Sequence, residues 1–304
     1  TSTHSDTMTL SVFDDVVVID YQGVVTQTTI YIRAFDYVAV TEPTFFRRLD
    51  SGVILIDGTS TAASIYSLTS LDRWSQLSDT SAQNIIGDTC HFTNADGSLI
   101  IVNGKDYNRM ISSDGTSVID STEAGSLYNS PMSKKAAYYK SRIYLANYKR
   151  NGVQYKTTIL RSSYPLGVID LVNGDVTAST TITVTDTKYF YSDTGMNQYE
   201  VYRGGTKVGS TLTVITVNET SVVVSGAVTL SSSDEIWIAG TFTGAKQYRW
   251  VNNPTSTGRD VKQYDTFKLS GGEEDDITLF ETIGNILMIA NRNTILSWND
   301  YTLE

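Results

Sequence analysis

An all-β chain built from a repeat is what the sequence predicts, and three observations carry that prediction. Pro numbers only 4 in 304 residues, while Val, Ile, Thr, Ser and Tyr are abundant. β-Branched and aromatic side chains fit a pleated, half-buried surface, and stretches of Ala, Leu, Glu and Lys with a 3.6-residue period are scarce. An apolar run ending in Asn or Asp also recurs along the chain at near-constant spacing. The 40% hydrophobic content suffices for one large domain with a smaller one inserted.

The recurring unit is explicit. Gly52-Val-Ile-Leu-Ile-Asp57 reads as a short buried strand ending in a turn. Gly97-Ser-Leu-Ile-Ile-Val-Asn103 follows at a spacing of 45 (97 − 52), and Ser141-Arg-Ile-Tyr-Leu-Ala-Asn147 at 44 (141 − 97). A fourth copy is Gly284-Asn-Ile-Leu-Met-Ile-Ala-Asn291. Apolar or aromatic pairs precede each run: Phe45-Phe46, His91-Phe92, Tyr138-Tyr139 and Leu279-Phe280. A further strand follows each one, at 64–68, 109–112, 158–161 and 294–298, and then a polar turn such as Ser113-Asp-Gly115. A period near 45 with about four strands per unit predicts a β-propeller-like repeat. A sandwich or jelly roll, with turns every 8–12 residues, is the alternative.

The interval from 141 to 284 breaks the period. Residues 177–239 contain Thr180-Thr-Ile-Thr-Val184, then Gln198-Tyr-Glu-Val-Tyr-Arg203 leading into Gly204-Gly205, a hairpin signal. Strands at 208–217, 222–224 and 234–238 complete a small inserted β-barrel or sandwich. The organisation expected is therefore blades in 1–176, an inserted β domain in 177–239, and blades again in 240–304. An insert whose ends lie close together leaves its host intact at little entropic cost. The first 45 residues match no copy of the unit.

Charge and composition narrow the function. A net charge of −10 repels a phosphate backbone and argues against sequence-specific nucleic-acid binding. A single cysteine, Cys90, removes disulfide frameworks and Cys-based zinc sites, and two histidines, His4 and His91, remove most metal-dependent hydrolases. Neighbouring residues on a strand point to opposite faces, so Cys90-His91 is not read as a catalytic pair. No apolar run reaches the roughly 20 residues of a membrane span, and the polar start lacks the features of a signal peptide. The chain begins without Met and stops inside a strand-like segment, so a fragment or a processed product of something longer is expected.

Catalytic motifs are missing. There is no phosphate-binding loop, zinc helix or nucleophile elbow; Lys105 lacks the upstream glycine, and Lys207 sits in a hairpin. Asp57-Gly58, Asp96-Gly97 and Asp114-Gly115 read as turns, because Asp and Gly tolerate positive φ. Asn94-Ala-Asp96-Gly97 lacks the downstream Glu of a calcium loop. No cofactor and no metal are expected. The acidic run Glu273, Glu274, Asp275 and Asp276 follows two glycines and reads as a solvated loop. A glycosidase using acids such as Asp114 or Glu274 is a weaker alternative, because that chemistry needs two rigidly held carboxylates and the acidic run follows two glycines. With 19 tyrosines, a sugar-binding or receptor-binding surface is a further alternative.

The third and fourth repeats carry a family resemblance. Ala137-Tyr-Tyr-Lys-Ser-Arg-Ile-Tyr-Leu-Ala146 with Ile159-Leu-Arg-Ser-Ser-Tyr-Pro-Leu-Gly167 resembles a blade of tailed-bacteriophage virion proteins. The segment 277–290 followed by Asn293-Thr-Ile-Leu-Ser-Trp298 looks like the next blade. The group that it resembles is the propeller-bearing tail nozzle (tail tubular) proteins of short-tailed phages, over 45–171 and 271–303. The resemblance implies a non-enzymatic virion component, a homo-oligomeric ring in the tail or neck that meets neighbouring virion proteins. In that setting Glu273, Glu274, Asp275 and Asp276 would face the DNA channel. The chain is shorter than a full nozzle protein, which leaves the component open.

Overall fold

The computed structural model describes residues 8–13, 16–22, 27–33, 43–49, 52–58, 63–68, 74–77, 90–150, 152–244, 246–250, 266–268, 276–291 and 294–298. Every regular element among them is a β-strand. The chain is all-β, as composition and periodicity predict.

Strands β1 (Met8–Phe13), β2 (Val16–Gln22) and β3 (Gln27–Arg33) form a three-stranded antiparallel sheet, in a region where no repeat is legible. Next come β4 (Pro43–Leu49), β5 (Gly52–Gly58), β6 (Ala63–Leu68) and β7 (Trp74–Gln76), a four-stranded meander. The same order recurs in β8 (His91–Ala95), β9 (Ser98–Val102), β10 (Arg109–Ile111) and β11 (Val118–Asp120). Strands β12 (Met132–Tyr139), β13 (Arg142–Arg150) and β14 (Val153–Arg161) begin a third meander. The four apolar runs that set the sequence period fall in β5, β9, β13 and a later strand at Ile286–Ala290. Asp57 and Gly58, expected as a turn, are instead the last paired residues of β5, opposite Ser64 and Ala63.

Beyond β14 the chain enters a module made of β15 (Val168–Leu171), β16 (Val176–Thr183), β17 (Gln198–Arg203), β18 (Thr206–Lys207), β19 (Leu212–Val217), β20 (Ser221–Leu230) and β21 (Glu235–Ile238). They form one seven-stranded antiparallel sheet, ordered β15-β21-β17-β19-β20-β16 with β18 hairpinned on β17, curled into a half-barrel. Ile182, Phe190, Tyr199, Val201, Val214, Val224 and Ile236 are buried together in its core. Gly204 and Gly205 both have positive φ (54° and 82°), which a two-residue turn with the twist of the flanking strands requires. The sheet starts at Val168, ahead of the boundary expected at 177, because β15 pairs with the sequence-remote β21.

The chain returns to complete the third meander with β22 (Thr266–Lys268) alongside β14. It then forms a three-stranded sheet of β23 (Leu279–Ile283), β24 (Ile286–Ala290) and β25 (Ile295–Trp298). The module's two ends lie side by side: Leu166 and Gln247 exchange both backbone hydrogen bonds at 2.8 and 3.0 Å. Next to them the Ser163 N–H donates to the Arg249 carbonyl at 2.8 Å.

Packing follows from strand alternation. Leu99 and Ile101 of β9 join Ile65, Leu77, Ile111 and Val118. Their neighbours Ile100 and Val102 face the other way, into a cluster with Ile143, Leu145, Leu160 and Trp250. On β13 the same division repeats, since Tyr144 and Ala146 pack with Phe280, Leu287, Ile289 and Trp298. Both the β8–β11 and the β12–β14 sheets are thus covered on both faces by neighbouring sheets. Each fully buried Leu or Ile contributes about 1.5–3 kcal/mol of transfer free energy. Side chains tie the first strands together at their rims. The Tyr138 N–H donates to Thr93 Oγ1 at 3.1 Å, and Thr282 Oγ1 donates to the Tyr138 carbonyl at 2.7 Å.

Double coverage is testable on one sheet. Leu145 belongs to the cluster shared with β8–β11, and Ile159 to the cluster shared with β23–β25. Leu145→Ala and Ile159→Ala should each destabilise by about 2–5 kcal/mol in urea unfolding. A sheet covered on one face only would leave one of the two within about 0.5 kcal/mol of wild type.

Candidate functional site

Polar and aromatic side chains concentrate where the module meets the sheet stack. Asp96 and Gly97 form the two-residue turn between β8 and β9, with φ of 48° and 80°. From that turn the Asp96 carboxylate accepts hydrogen bonds from the hydroxyls of both Tyr138 and Tyr248. The two hydroxyls are 3.0 Å apart and the rings meet edge to face. Burial, then the bond to Asp96, pushes both tyrosine pKa values up, so both hydroxyls stay protonated donors. This is a clamp between β8–β9, β12 and the segment 246–250, not an acid–base pair.

The next residue along the chain, Arg249, is 1% exposed. Its guanidinium lies 4.5 Å from the centre of the Tyr191 ring and 6.0 Å from that of Tyr199, and it donates to the Met196 carbonyl at 3.4 Å. All three partners belong to the module. A cation over aromatic faces recovers part of its lost hydration by attraction to the ring quadrupole. Tyr191 Oη donates to the Trp250 carbonyl at 2.6 Å and accepts the Trp250 N–H at 3.0 Å. Burial drives the Tyr191 hydroxyl far above its ordinary pKa, against the opposing pull of Arg249. Trp250 Nε1 in turn donates to the Ser126 carbonyl at 3.0 Å, which carries the link into the stack. Residues 248–250 are therefore a stitch with the module on one side and the sheets on the other.

The second feature lies on the module itself. Strand β20 pairs with β19 only through Val222, Val223 and Val224, and the two then diverge. Between them opens a cleft of about 340 Å³. Val208, Leu212, Val224, Val228 and Leu230 supply its apolar lining, and Ser210, Thr211, Thr213, Ser225 and Thr229 its hydroxyls. No ionisable side chain lines it, so it suits a neutral, hydrogen-bonding ligand.

The sequence-predicted acids are placed as follows. Glu273, Glu274 and Asp275 lie outside the described residues, and Asp276 pairs with Lys134 at 2.9 Å, both side chains partly exposed. Asp114 sits in the turn after β10, accepting Ser112 Oγ at 2.5 Å and the Thr116 N–H at 3.0 Å. Those bonds, Ser112 first, hold its pKa below the ordinary carboxylate value, which favours an ionised turn residue over a proton donor. Lys207 pairs with Glu200 at 2.6 Å. Among the described residues no group of three or more His, Cys, Asp or Glu is placed to hold a metal ion, and no helix is long and apolar enough to cross a membrane. Sequence reading missed Arg249, Tyr191, Tyr199 and Tyr248, whose partners lie dozens of residues away. The one legible signal was the close grouping Tyr248-Arg-Trp250 outside any strand pattern.

No family model matches the chain, and no curated protein matches it.

Two measurements probe this region. Tyr191→Phe removes the hydroxyl from a buried carbonyl and a buried N–H, and should cost about 1–3 kcal/mol in denaturant unfolding; an unchanged midpoint would contradict the stitch. Within the module, Arg203 grips the buried Asp234 carboxylate at 2.6 and 2.7 Å, and that contact foremost depresses the Asp234 pKa. The resulting stability is present above the unfolded carboxylate pKa of about 3.9 and is lost as pH falls through the lower folded value. Thermal melts of wild type and Arg203→Met should differ at pH 7 and converge toward pH 2. A gap that persists at pH 2 would contradict this linkage.

Proposed function

We propose that the chain is a structural protein that acts by assembly, a β-propeller-like scaffold in the tail or neck of a phage virion. The observation that carries this reading is how its polar groups are used. Asp96, Asn147, Thr93, Thr282 and Arg249 tie one sheet, strand or module to the next instead of converging on a cavity. Successive antiparallel meanders stacked face to face, with first strands cross-tied at one rim, fit blades arranged about an axis. The sequence resemblance supports the same reading. In a ring of several copies, a chain of net charge −10 would keep passing DNA from adhering to the channel wall. The acidic run from Glu273 to Asp276 is the proposed channel-facing element.

A second reading rests on the module's cleft. Its neutral, hydroxyl-bearing walls fit a carbohydrate or receptor segment, which would make the protein an adhesin-like binder.

Light scattering and negative-stain imaging of the purified chain separate the two readings. A closed ring supports the assembly reading, and replacing all four residues of the acidic run with Ser or Asn should leave that ring intact. Exposed ion pairs such as Asp276–Lys134 contribute only about 0–1 kcal/mol. A monomer that binds neutral oligosaccharides through the cleft would overturn the reading, as would loss of polysaccharide hydrolysis in the acidic-run variant.

A further inference from the structure

The β23–β25 sheet, last in the stack, exposes large apolar side chains on one face. Nine large hydrophobic side chains are exposed among the described residues, and five belong to this one sheet. Four of these project from the face opposite Phe280, Leu287, Ile289 and Trp298, which pack against the β12–β14 sheet. They are Leu279, Ile283, Ile286 and Ile295, at 41%, 61%, 40% and 71% exposure. Register sets them in two rows, Leu279 opposite Ala290 opposite Ile295, and Ile283 opposite Ile286, with Glu281, Met288 and Ser297 in the row between them. Clustered exposed apolar groups of this kind mark interaction sites.

We infer that this face is covered by a second copy of the chain, sheet against sheet. The partner's chemistry follows from continuity with the stack. The β8–β11 and β12–β14 sheets carry apolar residues on both faces, and each face is sealed by another antiparallel meander of this same chain. The β23–β25 sheet has the same two-faced pattern. An antiparallel meander with an apolar face fits this deficit, and each copy of this chain carries such sheets. Facing sheets would pack about 10 Å apart, as they do in sandwiches.

This inference rests on the assembly reading and locates its contact. The experiment is sedimentation velocity of wild type and of the Ile283→Glu/Ile295→Glu double variant across a hundredfold concentration range, with circular dichroism as a folding control. Both side chains are solvent-exposed, so the variant should fold; Ile295→Asn alone serves as a milder substitute. Wild type should self-associate, as a dimer or a ring, and the double variant should do so at least tenfold more weakly with an unchanged spectrum. Identical association of the two would overturn the assigned face while leaving the assembly reading standing. A wild type that stays monomeric at every concentration would overturn both.

Discussion

From Ile143 to Tyr148, β13 has no exposed residue, and much of the molecule follows from the need to cover both its faces. A strand with one wet face alternates apolar and polar side chains, whereas one covered on both sides must be apolar at nearly every position. Strand β9 obeys the same rule, with Leu99, Ile100, Ile101 and Val102 all buried. Sheets built around such strands cannot stand alone in water. Each must lie between two others, so the sheets stack in chain order and share cores. The module is exempt, because its half-barrel curls around a core of its own.

Stacking sheets buries backbone and polar atoms at every junction, and the side chains at those junctions are chosen to satisfy them. Asn147 sits at a β-bulge with φ of 51°, where its amide donates to the Ile277 carbonyl at 2.8 Å and accepts the Ile277 N–H at 3.1 Å. Asn103 and Asn291, at the ends of equivalent runs, accept backbone N–H groups from Lys105 and Asp106 and from Thr294. Asn108 does similar work between β10 and β12, reaching Ser130, Pro131 and Ser133. An unpaired buried polar group costs about 1–3 kcal/mol, so these contacts favour one arrangement of sheets over slipped ones. Arg249 is the most demanding case, a buried cation held by two tyrosine rings and a carbonyl.

The double burial explains why so much of the fold is legible in the sequence. Unbroken apolar runs closed by Asn or Asp are the local signature of β9, β13 and β24, and Gly204-Gly205 specifies its hairpin through backbone freedom alone. The start of the module was less visible, because β15 is short and defined by its pairing with β21. The junction cluster was not legible either. Asp96, Tyr138 and Tyr248 look like an ordinary turn and two ordinary tyrosines until topology brings them together across more than a hundred residues. Of the acidic run, Asp276 is seen paired with Lys134, a partner that charge patterning along the chain had no means to select.

Hydrogen exchange of backbone amides, resolved to individual strands, bears most directly on the doubly covered stack. Strands β9 and β13 have neighbours on both edges and sheets on both faces, so their amides open only when the stack itself comes apart. They should therefore be among the slowest in the chain and share one free energy of opening, close to that of global unfolding. Fast exchange in either strand, or two clearly different opening energies, would contradict the stack.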